Sequence, residues 1–356
     1  MKRFGILACP AWSTKAGNPY NYILYSNMEK QGYPIYEFDF AVRSSIKYAL
    51  SNNYKIFHIH WPSNVIFGES EARANLRLNI FFAFINLIKL FNKKIVWTVH
   101  NLEDHEGKFP ALQKKLNDFM YKKVDGFISL NQSGLELIKQ KTAGNRHKKT
   151  AHIYHPHYRN YYKNEIGKAL AREKLGVPMD KFVFLFLGQI RAYKNVTGLV
   201  EAYKALNHPN ALLLIAGNVH EDIRDELQKH LENAADIKFV NSFVKDEDLQ
   251  LYFNCADVVV TPYNKIFNSG SALLNLSFGK PTLAPDLWAL KELRNLVGPQ
   301  WIKTYQGHIS AEVLEKGMAE IRQESVTSAG NGPDISRLDP ESISRETIAF
   351  YESLLA

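Results

Sequence analysis

Residues 182–187 read Phe-Val-Phe-Leu-Phe-Leu, and residues 188–195 continue Gly-Gln-Ile-Arg-Ala-Tyr-Lys-Asn. Six apolar residues with no polar interruption are too short for a buried helix and suit a strand covered on both faces. Gly188 then permits a tight turn, and residues 196–206 (VTGLVEAYKAL) carry a helical pattern. The stretch therefore predicts strand, turn and helix in direct succession, the unit of a parallel sheet.

The same rhythm extends in both directions. Downstream, Leu212–Ala216, Ile237–Phe239, Val258–Thr261 and Pro281–Ala284 read as strands, with helical patterns such as Asp222–Asn233 between them. Upstream, Phe4–Cys9, Ile35–Phe40, Ile56–Trp61, Ile95–His100 and Gly126–Leu130 form a second series, again separated by helices such as Tyr20–Gln31. Residues 142–150 are polar and loop-like, and a helical segment is expected from Lys163 to Leu175. The fold class is α/β, with two Rossmann-like doubly wound domains facing a cleft. The expected divisions are residues 1–165, residues 166–335, and a C-terminal helix over 336–356 that has the first domain as one docking place. A chain of 356 residues suits two domains.

Composition narrows the class. Hydrophobic residues at 46% and charged residues at 22% exclude a disordered chain and a coiled coil. Cys9 and Cys255 lie far apart in apolar stretches, which excludes a disulfide framework and a cysteine zinc site and suits a reducing compartment. The longest apolar run, Ile80–Phe91, is broken by Asn86 and Lys89, short of the roughly 20 residues that a spanning helix needs. The residues after Lys2-Arg3 are too few for a signal peptide. The expected location is cytoplasmic.

Charge is unevenly placed. Residues 1–160 carry 23 Lys and Arg against 11 Asp and Glu, whereas the rest of the chain is net −4. A basic half suits nucleic acid, an anionic membrane or a phosphorylated substrate, and equally a solvated surface without partners. No zinc finger, RNP pattern or KH loop supports nucleic acid. Leu76–Phe91, flanked by Arg73, Arg77, Lys93 and Lys94, and Lys114–Lys123, with Leu116, Phe119 and Met120 interleaved, would suit an anionic bilayer. A buried helix and an amphipathic surface helix fit them as well.

Chemistry is expected in the loops after the strands. Gly188–Asn195 is the leading candidate, because Arg191 offers a planar fork and Lys194 a point charge at a helix entrance, both suited to a diphosphate. Ser269-Gly270-Ser271 opens an apolar helix and could present backbone N–H groups to an anion, or serve as an ordinary cap. His100, followed by Glu103, Asp104, His105 and Glu106, could bond a sugar hydroxyl, with a nearby carboxylate as general base. Its His100–His105 spacing of five disfavours a metal pair on one helix face, and no metal site is expected. His58 and His60 share a strand face and read as partly buried strand residues. Asp246-Glu247-Asp248 reads as an acidic helix start.

Taken in order along the chain, these motifs resemble those of the GT-B superfamily of glycosyltransferases. The nearest group is the bacterial family-4-like enzymes of polysaccharide assembly. The carriers are Trp12–Asn18, His60-Trp61-Pro62, Trp97–Asn101, His155–Tyr158, Gly188–Asn195, Ile215–Asn218, Ala256–Tyr263 and Ser269–Pro281. The resemblance implies transfer of a sugar from a UDP- or GDP-sugar to a glycan acceptor, lipid-linked at the inner membrane face, with no cofactor required. It implies an acceptor-side first domain and a donor-binding second domain.

Arg191 and Lys194 resemble the pair that holds the diphosphate. Gly17, Gly188, Tyr193, Tyr263, Ser269, Gly270 and Ser271 resemble the remaining donor contacts. Asn218, Phe243 and Val244 resemble the segments beside base and ribose, and His100 the histidine near the donor sugar. One departure stands out. Family-4 enzymes carry two glutamates eight positions apart before the Gly-Lys-Pro turn, whereas Ile266 and Leu274, or Phe267 and Asn275, hold that spacing here. An inverting reaction would then draw its base from Asp104 or Glu106. A GT-B-like binding protein without turnover and a GT-B-fold sugar epimerase are the alternatives.

Overall fold

The computed structural model describes residues 3–67, 70–101, 109–145, 147–232, 234, 236–265, 270–327 and 332–356, the side chains of 325–327 excepted. The chain divides into two units, Met1–Pro156 with Arg337–Ala356, and His157–Ser336.

The first unit is a parallel sheet of β1 (Ile6–Cys9), β2 (Ile35–Glu37), β3 (Ile56–Ile59), β4 (Lys94–Val99), β5 (Gly126–Ser129) and β6 (Lys149–His152), in the order β2-β1-β3-β4-β5-β6. Helices α1 (Tyr20–Lys30), α2 (Val42–Ala49), α3 (Glu71–Leu90), α4 (Pro110–Lys123) and α5 (Gln132–Lys141) connect the strands. Local chemistry sets several helix starts. The Ser70 hydroxyl accepts from the Arg73 N–H, the Asn131 side chain accepts from the Gly134 N–H, and Pro110 supplies the fixed φ suited to a first turn.

The second unit repeats the plan with β7 (Phe182–Leu187), β8 (Ala211–Ala216), β9 (Ile237–Val240), β10 (Val258–Val260), β11 (Thr282–Pro285) and β12 (Ile302–Tyr305), in the order β12-β11-β10-β7-β8-β9. Its helices are α6 (Lys168–Leu175), α7 (Val196–Leu206), α8 (Arg224–Leu231), α9 (Leu249–Cys255), α10 (Gly270–Ser277), α11 (Trp288–Val297) and α12 (Ala311–Thr327). Phe182, Phe184, Phe186, Leu213 and Ile215 enter the core on one side of this sheet, and Val183, Leu185, Leu212 and Leu214 on the other. An uninterrupted apolar strand is thus filled on both faces.

The last helix, α13 (Pro340–Leu355), returns to the first unit. The Asp339 carboxylate accepts from the Ser342 N–H at its start. Ile343, Ile348, Tyr351 and Leu354 join Leu24 and Met28 of α1 in one core. Gln31 Nε2 donates to Ser344 Oγ at 2.5 Å, and Tyr33 Oη donates to Glu352 at 3.0 Å.

Three readings change against the structure. The division falls after Pro156 rather than at 165, because residues 158–165 already bond into the second unit. The Tyr158 N–H donates to Ser277 Oγ (2.9 Å), Arg159 Nη2 to the Pro333 carbonyl (3.1 Å) and the Glu165 N–H to Gln250 Oε1 (2.9 Å). The helix expected from Lys163 starts at Lys168, behind Gly167. Strands β6 and β12 arise in stretches with no apolar run, Lys-Thr-Ala-His and Ile-Lys-Thr-Tyr. Both lie at a sheet edge, where β6 is only partly covered, whereas β12 is largely buried and holds Lys303 through its bond to Glu324.

Candidate active site

In the second unit, β7 and β10 are neighbours, and the connections leave them toward opposite edges of the sheet. A crevice opens outside the strand ends at such a reversal. Gly188 follows β7 with φ +132, and Gly217 follows β8 with φ +151, both beyond what a side chain tolerates. A Cβ on Gly217 would lie 1.9 Å from the Gly188 carbonyl oxygen. This close approach brings the two loops together. The Ile190 N–H donates to the Asn218 carbonyl (2.8 Å), and the His220 N–H returns to Ile190 (2.9 Å).

Arg191, Tyr193 and Lys194 occupy the short turn between β7 and α7. The Asn264 N–H, after β10, donates to the Tyr193 carbonyl at 2.9 Å, tying the two strand ends together. Lys194 Nζ lies 5.9 Å from the Tyr193 ring centre and 5.6 Å from that of Tyr263, within cation–π range. Burial, reinforced by the Arg191 charge, lowers the Lys194 ammonium to about 8. Tyr263 is buried, and its hydroxyl lies 3.1 Å from Ser271 Oγ in the first turn of α10. The result is a strained cation beside a guanidinium, lined by two phenols, a serine and a helix start. An anion with several oxygens relieves that strain.

In the first unit the reversal lies between β1 and β3. The strand ends here carry imidazoles. His60 follows β3, His100 follows β4 and His155 follows β6. Tyr20, at the start of α1, has its ring 5.4 Å from His60, 5.0 Å from His100 and 4.6 Å from His155. Trp61 stacks on His100 at 4.4 Å between ring centres. Burial pushes His58 down to about 3 and His155 to about 4, and drives His60 and His100 well below the usual imidazole value. These rings are neutral at ordinary pH.

The loop after β1 is held from β2, where the Glu37 carboxylate accepts the N–H groups of Ala11, Trp12 and Ser13 at 3.1, 2.9 and 2.9 Å. Burial alone would raise this carboxyl, but those bonds outweigh it and keep it below the usual range.

Residues 167–289 match the family described as Glycosyl transferases group 1. A GDP-mannose:glycolipid 4-beta-D-mannosyltransferase of Xanthomonas campestris pv. campestris is 26% identical over 296 residues, 83% of this chain and 78% of that protein. The chain is a GT-B glycosyltransferase. Two solved structures share its fold. Sucrose-phosphate synthase from Thermosynechococcus elongatus superposes with a TM-score of 0.72 at 15% identity, covering 99% of both chains. Anabaena HepE in complex with UDP and glucose gives 0.69 at 15% identity, covering 99% of this chain and 100% of that one.

Within this glycosyltransferase, the structure gathers Gly188, Arg191, Tyr193, Lys194, Tyr263, Gly270 and Ser271 around one strand reversal. Asn218 is exposed beside them, and its neighbour Val219 donates its N–H to Asn241 Oδ1 (3.2 Å), after β9. That bond brings the loop of Phe243 and Val244 alongside, with Phe243 57% exposed and Val244 packed on the core. Gly17 lies in the β1–α1 loop with open space where a Cβ would stand. Asp104, Glu106 and Ser269 lie outside the described residues, as do Ile266 and Phe267, and Leu274 is on α10. His58 and His60, read as partly buried, are fully enclosed.

Sequence reasoning held Gly217 only as part of Ile215–Asn218 and gave it no role of its own, although its place after an apolar strand matches that of Gly188. The buried hydroxyl of Thr261, at the end of the Val258–Thr261 stretch, has no hydrogen-bond partner among the described residues.

Proposed function

We propose that the enzyme takes its sugar from a UDP- or GDP-sugar and delivers it to a lipid-linked glycan during assembly of a surface polysaccharide or glycoconjugate. The observation that carries the donor part is the Arg191–Lys194 pair, a cation already destabilised by burial and waiting at a strand reversal. The pair would hold the diphosphate and offset its charge as the glycosidic bond to the nucleotide breaks. Tyr263, Ser271 and the N-terminus of α10 would bond phosphate oxygens or the sugar. Asn218 and the Phe243–Val244 loop would meet base and ribose.

Two names support this reading. HepE was solved with UDP and glucose, and the Xanthomonas relative is named for GDP-mannose and a glycolipid. They differ in the nucleobase, and the donor stays open between them.

His100 would bond a hydroxyl of the sugar as a neutral imidazole. An acceptor hydroxyl must still lose its proton, and no glutamate pair precedes the Gly-Lys-Pro turn. Asp104 or Glu106 would take it in an inverting displacement.

The acceptor part rests on the surface of the first unit. Ile46 and Leu50 at the end of α2 are 71% and 70% exposed, and Leu90 and Phe91 at the end of α3 are 82% and 48% exposed. Arg43, Lys47 and Lys94 lie in the same segments. Apolar side chains ringed by cations suit an anionic membrane surface. Among the described residues no helix is long and apolar enough to cross a membrane.

A thermal-shift panel of UDP, GDP and their sugar conjugates tests the donor assignment. A nucleotide at 100 times its dissociation constant should stabilise the protein by about 2.7 kcal/mol. Stabilisation by one nucleotide series, lost in Arg191→Ala with Lys194→Ala, is the expected result. A shift that survives both substitutions would remove the diphosphate from this place.

A further inference from the structure

A row of polar side chains runs from the interior of the first unit to its strand ends. Thr98 Oγ1 lies 2.8 Å from His58 Nε2, and His58 Nδ1 lies 2.8 Å from Tyr25 Oη. Tyr25 Oη is 2.7 Å from His60 Nε2, and His60 Nδ1 is 3.1 Å from His100 Nε2. Tyr351 of the terminal helix adds a second hydroxyl 2.6 Å from His58 Nδ1. Thr98, His58, Tyr25 and Tyr351 are wholly buried and His60 is 1% exposed, whereas His100 at the outer end is partly exposed.

Such a row has a logic that packing alone would not require. A neutral imidazole has one N–H and one lone pair. Two facing ring nitrogens bond only when one carries hydrogen and the other does not. The contact between His60 Nδ1 and His100 Nε2 therefore gives the two rings the same tautomer, both Nδ1–H or both Nε2–H. His60 Nε2 is in turn bonded to Tyr25 Oη, so the hydrogen on His60 is set by that phenol. Tyr25 is set by His58 and Tyr351. Among the described residues no group of three or more His, Cys, Asp or Glu is placed to hold a metal ion, and the row reads as a hydrogen-bond chain. Enclosure keeps His58 and His60 uncharged, so an interior ring offers no proton to blur the pattern.

We propose that His60 and Tyr25, anchored by His58 and by Tyr351 of the terminal helix, are positioning residues that lock His100 into a single tautomer and ring orientation toward its hydroxyl ligand. The inference deepens the proposed role of His100 and rests on it. It also makes the terminal helix part of the site, because α13 brings the hydroxyl that closes the row from below.

The test is nitrogen-15 NMR of the full chain with labelled histidine, with His100→Ala used to assign the His100 ring. The lock predicts one fixed tautomer for each of His60 and His100, of the same kind (both Nδ1–H or both Nε2–H), and a nitrogen–nitrogen coupling across their shared hydrogen. Tyr25→Phe should remove the coupling and leave averaged ring signals. It should lower kcat roughly tenfold with KM little changed, as expected when a buried partner is lost. Tyr351→Phe should give a weaker form of the same changes.

Averaged tautomers in the unaltered protein would overturn the proposal without any variant. Ring signals unmoved in Tyr25→Phe would overturn it too. A protein that shows the lock yet turns over no nucleotide-sugar would keep the tautomer chain and refute the donor reading instead, so the two failures are distinct.

Discussion

The two units share an anchor and differ in what they place at their strand ends. In each, an aspartate stands just before a central strand and accepts from a neighbouring strand's N–H. Asp125, before β5, accepts from Ile95 at 2.8 Å and pairs with Lys89. Asp257, before β10, accepts from Val183 at 2.7 Å and pairs with Lys168 and with Arg172 at 2.8 Å. Buried Arg172 is otherwise satisfied by the carbonyls of Cys255, Pro178, Met179 and Lys181. A buried charge that is paired and hydrogen-bonded is tolerated, whereas one stripped of its partner costs several kcal/mol.

Beyond that anchor the units diverge. The second ends its strands in a guanidinium and an ammonium, the first in imidazoles that burial keeps neutral. The contrast teaches a division of labour. Fixed positive charge suits a diphosphate that gains charge as it departs, while neutral rings of fixed geometry suit hydroxyls. One fold holds both because a strand-end loop can change its chemistry without altering the sheet.

Removing charge from the second unit should have the largest effect. Lys194→Ala is expected to reduce kcat/KM by roughly 100- to 1000-fold in a transfer assay, in line with loss of one group that stabilises developing charge. An equal loss from a neutral substitution confined to the first unit's surface would erase the division. Next comes the backbone beneath the cations. Gly217→Ala forces a Cβ against the Gly188 carbonyl and should destabilise the protein on the order of 3 kcal/mol. A thermal melt should show a fall of about 5–10 °C. An unchanged melting temperature would mean that the two loops are not held together by that approach. The smallest effect is expected at the first unit's apolar rim. Ile46→Asp with Leu90→Asp should weaken binding to phosphatidylglycerol vesicles roughly tenfold and leave turnover of a water-soluble acceptor analogue unchanged. Undiminished vesicle binding would place the membrane contact elsewhere.

How legible all this was in the sequence depended on where a residue finds its partners. Phe182–Leu187 announced a buried strand because every position is apolar, and Gly188–Asn195 announced its loop because glycine, arginine and lysine follow at once. Strand β6 was silent because Lys-Thr-Ala-His is only partly covered at its edge, and β12 because its buried Lys303 is paired with Glu324 of a helix distant in sequence. His58 and His60 were visible as a period-two pair. Their meaning was not, since Tyr25 lies on α1 and Tyr351 near the far end of the chain, and only the packing of α1 on α13 brings both hydroxyls to one ring. Arg172 reads as an ordinary surface residue in Lys168–Leu175, and nothing local discloses that five acceptors surround it. The role of Asp104 or Glu106 as base rests on the sequence resemblance alone.

The most direct test of the charge division is a calorimetric titration of UDP or GDP, whichever stabilises the protein, run at pH 8 in two buffers of different ionisation enthalpy. With the Lys194 ammonium lowered to about 8, roughly half of the molecules carry the charge there, and a bound diphosphate favours that form. Binding should take up about half a proton, and affinity should fall as pH rises through 8. Lys194→Arg, always charged, should bind with no uptake and a flat profile. Tight binding of the diphosphate with no proton uptake, and with the same affinity in Lys194→Ala, would contradict the account.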